Sequence, residues 1–452
     1  MNISVLAPNK EVETIIRQLL LPWHVHFSIP EKAELIITYQ SLDITGKPTI
    51  IIPSETYEFR LFTKKNKIRT LSIQHNKLIV SISENFNLCL TPLTQNIYDI
   101  SRNYDYNKEL ITFQLDNLTY LLPIDIIKEY CLKMEQVLHM KISEIYQLII
   151  NFPIQYTRIP QAVRNFLFTR NSLNFDFSYT NFLDFDAIRY LLLSAIKVAI
   201  GRYPYKKMWN GFKFVSFITH DIDTRAGLQK SSILKKIEEK YDIPSTWYIP
   251  IKRYKLHNDT ILNLANFGEI GVHGTKHDGK LIQLSETEAI KRLKEGKLFL
   301  EKIIQKDIIG FRAPLLQHNE NILVATKKSG YRYDSSIPTW EPKHPATMGP
   351  HGIGTVYPLN LNGLIEIPVS IPQDYQMLYV MGKNVEDTIK IWISYKKIIE
   401  EIGGLYTVLI HPEYDLTNHD NIYLYEEFLN VLASDDNLFK THPKNVVDIL
   451  IK

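Results

Sequence analysis

Two acids close a strongly apolar run, Phe214-Val215-Ser216-Phe217-Ile218-Thr219-His220-Asp221-Ile222-Asp223. The run has the composition of a buried strand, and alternate residues of a strand share a face, so Asp221 and Asp223 point to one side. Neighbouring carboxylates repel each other, and a cation or a shared proton removes that cost. Downstream, His273-Gly274-Thr275-Lys276-His277 offers two imidazoles at a spacing that can reach one metal ion. Two histidines and one aspartate form a facial set that leaves coordination positions open, the pattern of a catalytic rather than a structural site. Each feature also has a plain reading, since aspartates cap helices and most HxxxH pairs bind nothing. The placement of the chain's other polar residues separates the two.

From Gly211 onward, strand patterns alternate with helical ones. Strands are expected at 213–223, 245–250, 269–273, 308–312, 331–335, 364–369 and 405–411. Helices are expected at 231–240, 259–266, 285–304 and 320–328, and again after Val385 and Tyr423. The longest opens with the capping pattern Ser285-Glu286-Thr287-Glu288. Such alternation builds a parallel sheet, open or closed into a barrel, whose functional residues gather at the carboxyl ends of the strands. Asp221 and Asp223 end the first strand, His273 the third, Arg312 the fourth, Asp334 the fifth and His411 the last. One polar residue at a strand end is ordinary. Titratable residues at successive ends make a site.

The totals bound the rest. A chain of 452 residues exceeds one ordinary core, and 45% hydrophobic with 22% charged residues is a globular composition. We read three regions: residues 1–105 as a small α/β domain, 106–210 as a hairpin and helical connector, and 211–452 as a (β/α) barrel. The first two hold no cluster of histidines, cysteines and acids. A net charge of +3 without a strong basic run excludes a dedicated nucleic-acid binder. The most apolar helical stretch, 190–200, is short, contains Lys197 and is flanked by Arg189 and Arg202, so it is no membrane span. Two cysteines, Cys89 and Cys131, fit a reducing compartment, and residues 1–10 lack the pattern of a signal peptide. The expectation is a cytoplasmic protein.

Residues 211 to about 450 resemble the polysaccharide deacetylases of carbohydrate esterase family 4, the NodB-homology domain. Five motifs in order carry the resemblance: Thr219-His220-Asp221-Ile222-Asp223, His273-Gly274-Thr275-Lys276-His277, Arg312-Ala313-Pro314, Tyr333-Asp334-Ser335-Ser336 and Leu409-Ile410-His411. The resemblance implies a distorted (β/α) barrel with fewer than eight strands that removes acetyl from an N-acetylated sugar. It implies that Asp223, His273 and His277 hold a divalent metal, and this ligand set suits zinc, with cobalt or nickel next. It further implies that Asp221 is the general base, that Arg312 orients Asp221, and that Asp334 holds Arg312. His411 would protonate the leaving amine, Leu409 would line the acetyl pocket, and Pro314 would stand at the substrate site.

The sequence departs from the family in two places. Ile222 separates aspartates that are commonly adjacent, and Leu315 and Leu316 follow Pro314 where an aromatic residue or glycine is common. Trp340 is either a wall of the sugar site or a structural tryptophan. Asp374 and Tyr375 read as a turn within reach of substrate. His220, His318, His344, His351 and His419 read as surface or supporting residues. The alternatives are a hydrolase of another acyl amide or an O-acetyl ester, and a carbohydrate-binding protein with a decayed site. Retention of an acid and a base, which a binder does not need, favours the enzyme.

Overall fold

The computed structural model describes residues 1–21, 23, 25–39, 46–53, 58–62, 68–74, 77–82, 86–90, 113–114, 118–122, 125–140, 142–144, 146–147, 183–202, 204 and 209–451. These form two compact units, one of residues 1–134 with 178–208 and the other of 135–177 with 209–452. The region read as a connector is thus divided between them, and much of it lies outside the described residues.

The first unit is built on a sheet of Asn2–Leu6 (β1), His26–Phe27 (β2), Leu35–Tyr39 (β3) and Thr49–Ile52 (β4). Between the first two strands lies Lys10–Leu19 (α1), with Asn9 as cap accepting the Val12 N–H at 3.0 Å. A second, antiparallel sheet joins Glu58–Phe62 (β5), Ile68–Gln74 (β6), Lys77–Ile82 (β7) and Phe86–Leu90 (β8). The chain returns to the first sheet with Phe113–Gln114 (β9) and Thr119–Leu121 (β10), giving the order β2-β1-β3-β4-β10-β9. Among the described strands only the β9–β10 pair is antiparallel there, and β3 and β4 are mostly apolar and buried almost throughout, as strands covered on both faces are. The helices Ile126–Leu138 (α2) and Asp184–Ile200 (α3) follow, the latter packing on β3, β4 and β10 and ending at left-handed Gly201.

In the second unit, Phe214–Asp221 (β11), Ser245–Ile249 (β12), Glu269–Val272 (β13), Gly310–Phe311 (β14), Tyr333–Asp334 (β15), Leu364–Glu366 (β17) and Leu405–Ile410 (β18) lie parallel. Their order β17-β15-β14-β13-β12-β11-β18 makes a distorted (β/α) barrel, with Leu359–Leu361 (β16) antiparallel at one end. Ser370 closes the gap between the end strands. Its N–H donates to Thr407 O at 3.2 Å, and its hydroxyl donates to Leu405 O at 2.5 Å. The connecting helices are Arg225–Lys240 (α4), Asn258–Ala265 (α5), Glu286–Ile304 (α6), Glu320–Lys328 (α7), Val385–Ile402 (α8) and Ile422–Ala433 (α9). Ser285 and Glu288 form the full capping box on α6. Two closing elements were not foreseen. Leu438–Lys440 (β19) pairs with the start of β11, and Pro443–Ile451 (α10) begins with the proline favoured at a first helical position.

Among the described residues no helix is long and apolar enough to cross a membrane. Cys131 is an exposed free thiol.

Candidate metal and catalytic centre

The cap on α4 decides how the paired acids are used. Thr224, not either aspartate, accepts the Gly227 N–H at 3.1 Å. Asp221 ends β11, Asp223 lies two residues beyond, and both carboxylates turn toward His273. Just before Asp221 in the alternation, His220 faces the opposite way. It stacks on Trp247 at 4.1 Å and meets Glu238 at 2.7 Å, a buried structural histidine.

Asp223 Oδ1 lies 3.1 Å from His273 Nε2 and 3.0 Å from His277 Nε2. Yet Asp223 Oδ1 and both ring nitrogens of His277 are buried without an aligned hydrogen bond. Three donor atoms that approach one another with unshared lone pairs fit a common cation. The three residues are the described group whose ligand atoms all lie within 4.8 Å of one another. His273 Nδ1–H donates to Arg312 O at 3.0 Å, which fixes the tautomer that leaves Nε2 for the site. Burial alone would raise the Asp223 carboxyl, but His277 and His273 beside it hold it well below the usual carboxylate range.

Asp221 is held differently. Arg312 Nη1 donates to Asp221 Oδ1 at 3.1 Å and to Thr219 Oγ1 at 2.8 Å, and its guanidinium lies 4.2 Å above the Tyr248 ring. Arg312 is fully buried and anchored from behind by Ser335, through Nε to the carbonyl at 2.9 Å and Nη2 to the hydroxyl at 2.8 Å. On this side the hydrogen bonds of Arg312 go to Ser335 rather than to Asp334. Asp334 accepts from Ser336 Oγ at 2.6 Å and has no aligned hydrogen bond to the guanidinium. It pairs instead with Glu366. Burial lifts Asp334 to about 6, and burial together with the charge of Asp334 lifts Glu366 further.

His411 closes the site opposite. Its Nε2 stands 4.0 Å from Asp223 Oδ2, and its Nδ1–H donates to Asp374 Oδ1 at 2.7 Å. The backbone N–H of His411 donates to the other oxygen of Asp374, also at 2.7 Å. Burial would lower the imidazole, but the Asp374 carboxylate overrides it and raises His411 to about 10. Asp374, read from sequence as a turn, is the partner that keeps His411 charged.

Residues 219–333 match the family model described as polysaccharide deacetylase. This region is a polysaccharide deacetylase domain of the NodB-homology type. No curated protein matches the chain. Among solved structures, it is similar to a candidate polysaccharide deacetylase from Mycobacterium smegmatis at 19% identity, covering 53% of this chain and 91% of that one, with a TM-score of 0.44. It is also similar to Puue allantoinase, at 12% identity, covering 55% of this chain and 93% of that one, with a TM-score of 0.42. A further candidate polysaccharide deacetylase, from Pseudomonas aeruginosa PAO1, is 13% identical over 56% of this chain and 96% of its own, with a TM-score of 0.42.

Around the centre of the deacetylase domain, Leu409 is buried in an apolar group with Leu316 and Val369. That contact accounts for one of the two leucines after Pro314. Pro314 itself packs on Gly274, where an added Cβ would lie 3.0 Å from its ring. Trp340 is half-buried, and its backbone is covered by Gly352, beside the Glu341–His351 bridge. Sequence reasoning missed Glu413, two residues past His411. Burial and then the nearby Asp223 charge push its carboxyl up to about 8. It also missed a tyrosine wall, in which Tyr414 lies 4.9 Å from the His411 ring and Tyr379 lies 5.2 Å from Tyr414.

Proposed function

We propose that this protein is a metal-dependent hydrolase that removes acetyl from an N-acetylated sugar or polysaccharide precursor. The observation that carries the reading is the flanking of one His/Asp centre by a carboxylate and an imidazolium with separate supports. A divalent metal held by Asp223, His273 and His277 would supply a Lewis acid that polarises the acetyl carbonyl.

The chain's own groups account for the protons. Asp221, oriented by Arg312, is the general base that takes a proton from the attacking water. His411 carries a proton on Nε2, because Asp374 holds Nδ1–H and favours the charged ring. It gives that proton to the departing amine. Leu409, Leu316 and Val369 offer the apolar surface that an acetyl methyl group needs. The tyrosines beside His411 suit stacking on a sugar ring.

Acetate release from oligomers of N-acetylglucosamine, by wild type and by Asp221→Asn, tests the proposal. Wild type loaded with zinc, cobalt or nickel that frees no acetate from N-acetylated or O-acetylated sugars would overturn it. Release from O-acetylated sugars alone would reassign the site to esters.

A further inference from the structure

The loop that carries His277 runs through three left-handed backbone positions, Gly274 (φ 67), His277 (φ 50) and Gly279 (φ 71). Glycine adopts that conformation freely, but histidine does so only when its surroundings hold it there. The loop is fastened at three points. At its start, Lys252 N–H donates to Thr275 O at 2.7 Å. In the middle, Arg292 on α6 binds Asp278 at 3.0 Å. At its end, Gly279 O accepts from Gln317 Nε2 at 2.7 Å and from the Tyr146 hydroxyl at 3.1 Å.

The last fastening reaches far along the chain. Gln317 ends the segment after Pro314 that contains left-handed Leu315 and Leu316, and its amide also donates to the Tyr146 oxygen. Tyr146 is fully buried. Its N–H donates to Ser143 Oγ at 3.1 Å, and Ser143 N–H donates to Ala346 O at 2.9 Å. Tyr146 lies outside the residues matched to the family but within the same compact unit as the site.

We infer that Tyr146 is a positioning residue for the metal ligand His277. Its hydroxyl and the Gln317 amide fix the Gly279 carbonyl, and so hold His277 in the strained conformation that aims its ring at Asp223 and His273. The inference rests on the reading of those three residues as a metal centre, not on the substrate. Outer partners of metal ligands typically govern affinity by about 10- to 100-fold.

Zinc affinity of the full chain, measured by competition with a chelating dye, tests it. Tyr146→Phe removes the hydroxyl and keeps the ring, and we expect zinc to bind about tenfold more weakly. The visible absorption of the cobalt-loaded variant should change in position or intensity, because the His277 ligand is displaced. A merely structural tyrosine would lower the melting temperature of the metal-free protein and leave affinity and cobalt spectrum unchanged. That result overturns the inference. Gln317→Met, which removes the second donor, should weaken zinc in the same direction and serves if Tyr146→Phe does not fold; unchanged affinity there also overturns it. A wild type that takes no zinc overturns the inference together with the metal centre. A wild type that binds zinc but frees no acetate would count against the proposed substrate, and the affinity comparison would still decide this point.

Discussion

The deacetylase domain contains two groups of buried histidines, and they differ in what stands beside them. His273 and His277 meet the Asp223 carboxylate at 3.1 and 3.0 Å, and His277 has no aligned hydrogen bond of its own. His318 and His344 instead donate to one backbone carbonyl, Leu316 O, at 2.8 and 3.1 Å. His344 Nδ1 also accepts the Ala346 N–H at 3.2 Å, and His318 Nε2 faces His351 Nε2 at 2.9 Å. The charges follow. Burial lowers His318 to about 4 and His344 to about 3, whereas Asp221 and Asp223 overcome burial and raise His273. A carboxylate and unshared lone pairs make a reactive centre, and imidazoles satisfied by the backbone make a fastening for the loop at Leu316.

The comparison breaks most visibly at the metal. His273→Ala should reduce bound zinc from one per chain to nearly none, and dialysis against EDTA should abolish acetate release until zinc is restored. His344→Gln should leave zinc stoichiometry unchanged. Zinc retained in the first variant and lost in the second, measured by atomic absorption, would exchange the roles of the two groups. Asp221→Asn tests the division between the acids. It should keep zinc and lose about a hundredfold to ten-thousandfold in turnover, the usual loss on removing a general base. Loss of zinc there, with retention in Asp223→Asn, would reverse the assignment.

The two groups were not equally legible in the sequence. Asp221, His273, Arg312 and His411 stand at the ends of strands whose apolar patterns are plain, so alternation and position alone place them together. Ser335 was missed because the family motif draws attention to Asp334, although Ser335 is the next residue on a strand and points the other way. Asp374 lies in an irregular stretch after β17, and no local period links it to His411. Tyr146 reaches Gly279 over a separation that only the folded chain reveals. His318 and His344 read as surface or supporting residues, and their burial on one backbone carbonyl is visible only in the folded chain.

His411 offers a pH test of the charged half of the comparison. Its folded value, about 10, lies above the ordinary imidazole value of 6.5, so the proton needed for the leaving amine is held until the pH rises toward the higher figure. Asp374→Asn removes the group that raises it. The alkaline limb of kcat/KM should therefore move to lower pH by about 1–3 units. A limb that stays in place would show that another group donates the proton.

The smallest effect belongs to the neutral half. His344 stays uncharged in the fold, while in the unfolded chain it takes up a proton near 6.5. Its folded value is depressed, so its contribution to stability is complete above pH 6.5 and is lost as the pH falls toward 3. Raised carboxyls pull the other way. Glu341 near 7 and Glu413 near 8 bind protons more readily in the fold and stabilise it at low pH. A single stability curve therefore mixes opposing slopes, and the useful quantity is the difference between wild type and His344→Gln. The glutamine amide can donate to Leu316 O and does not titrate. Between pH 6.5 and 5, wild type should lose about 2 kcal/mol relative to the variant, measured by urea unfolding at each pH. A flat difference over that range would mean that His344 is charged in the fold, and the contrast between the two histidine groups would disappear.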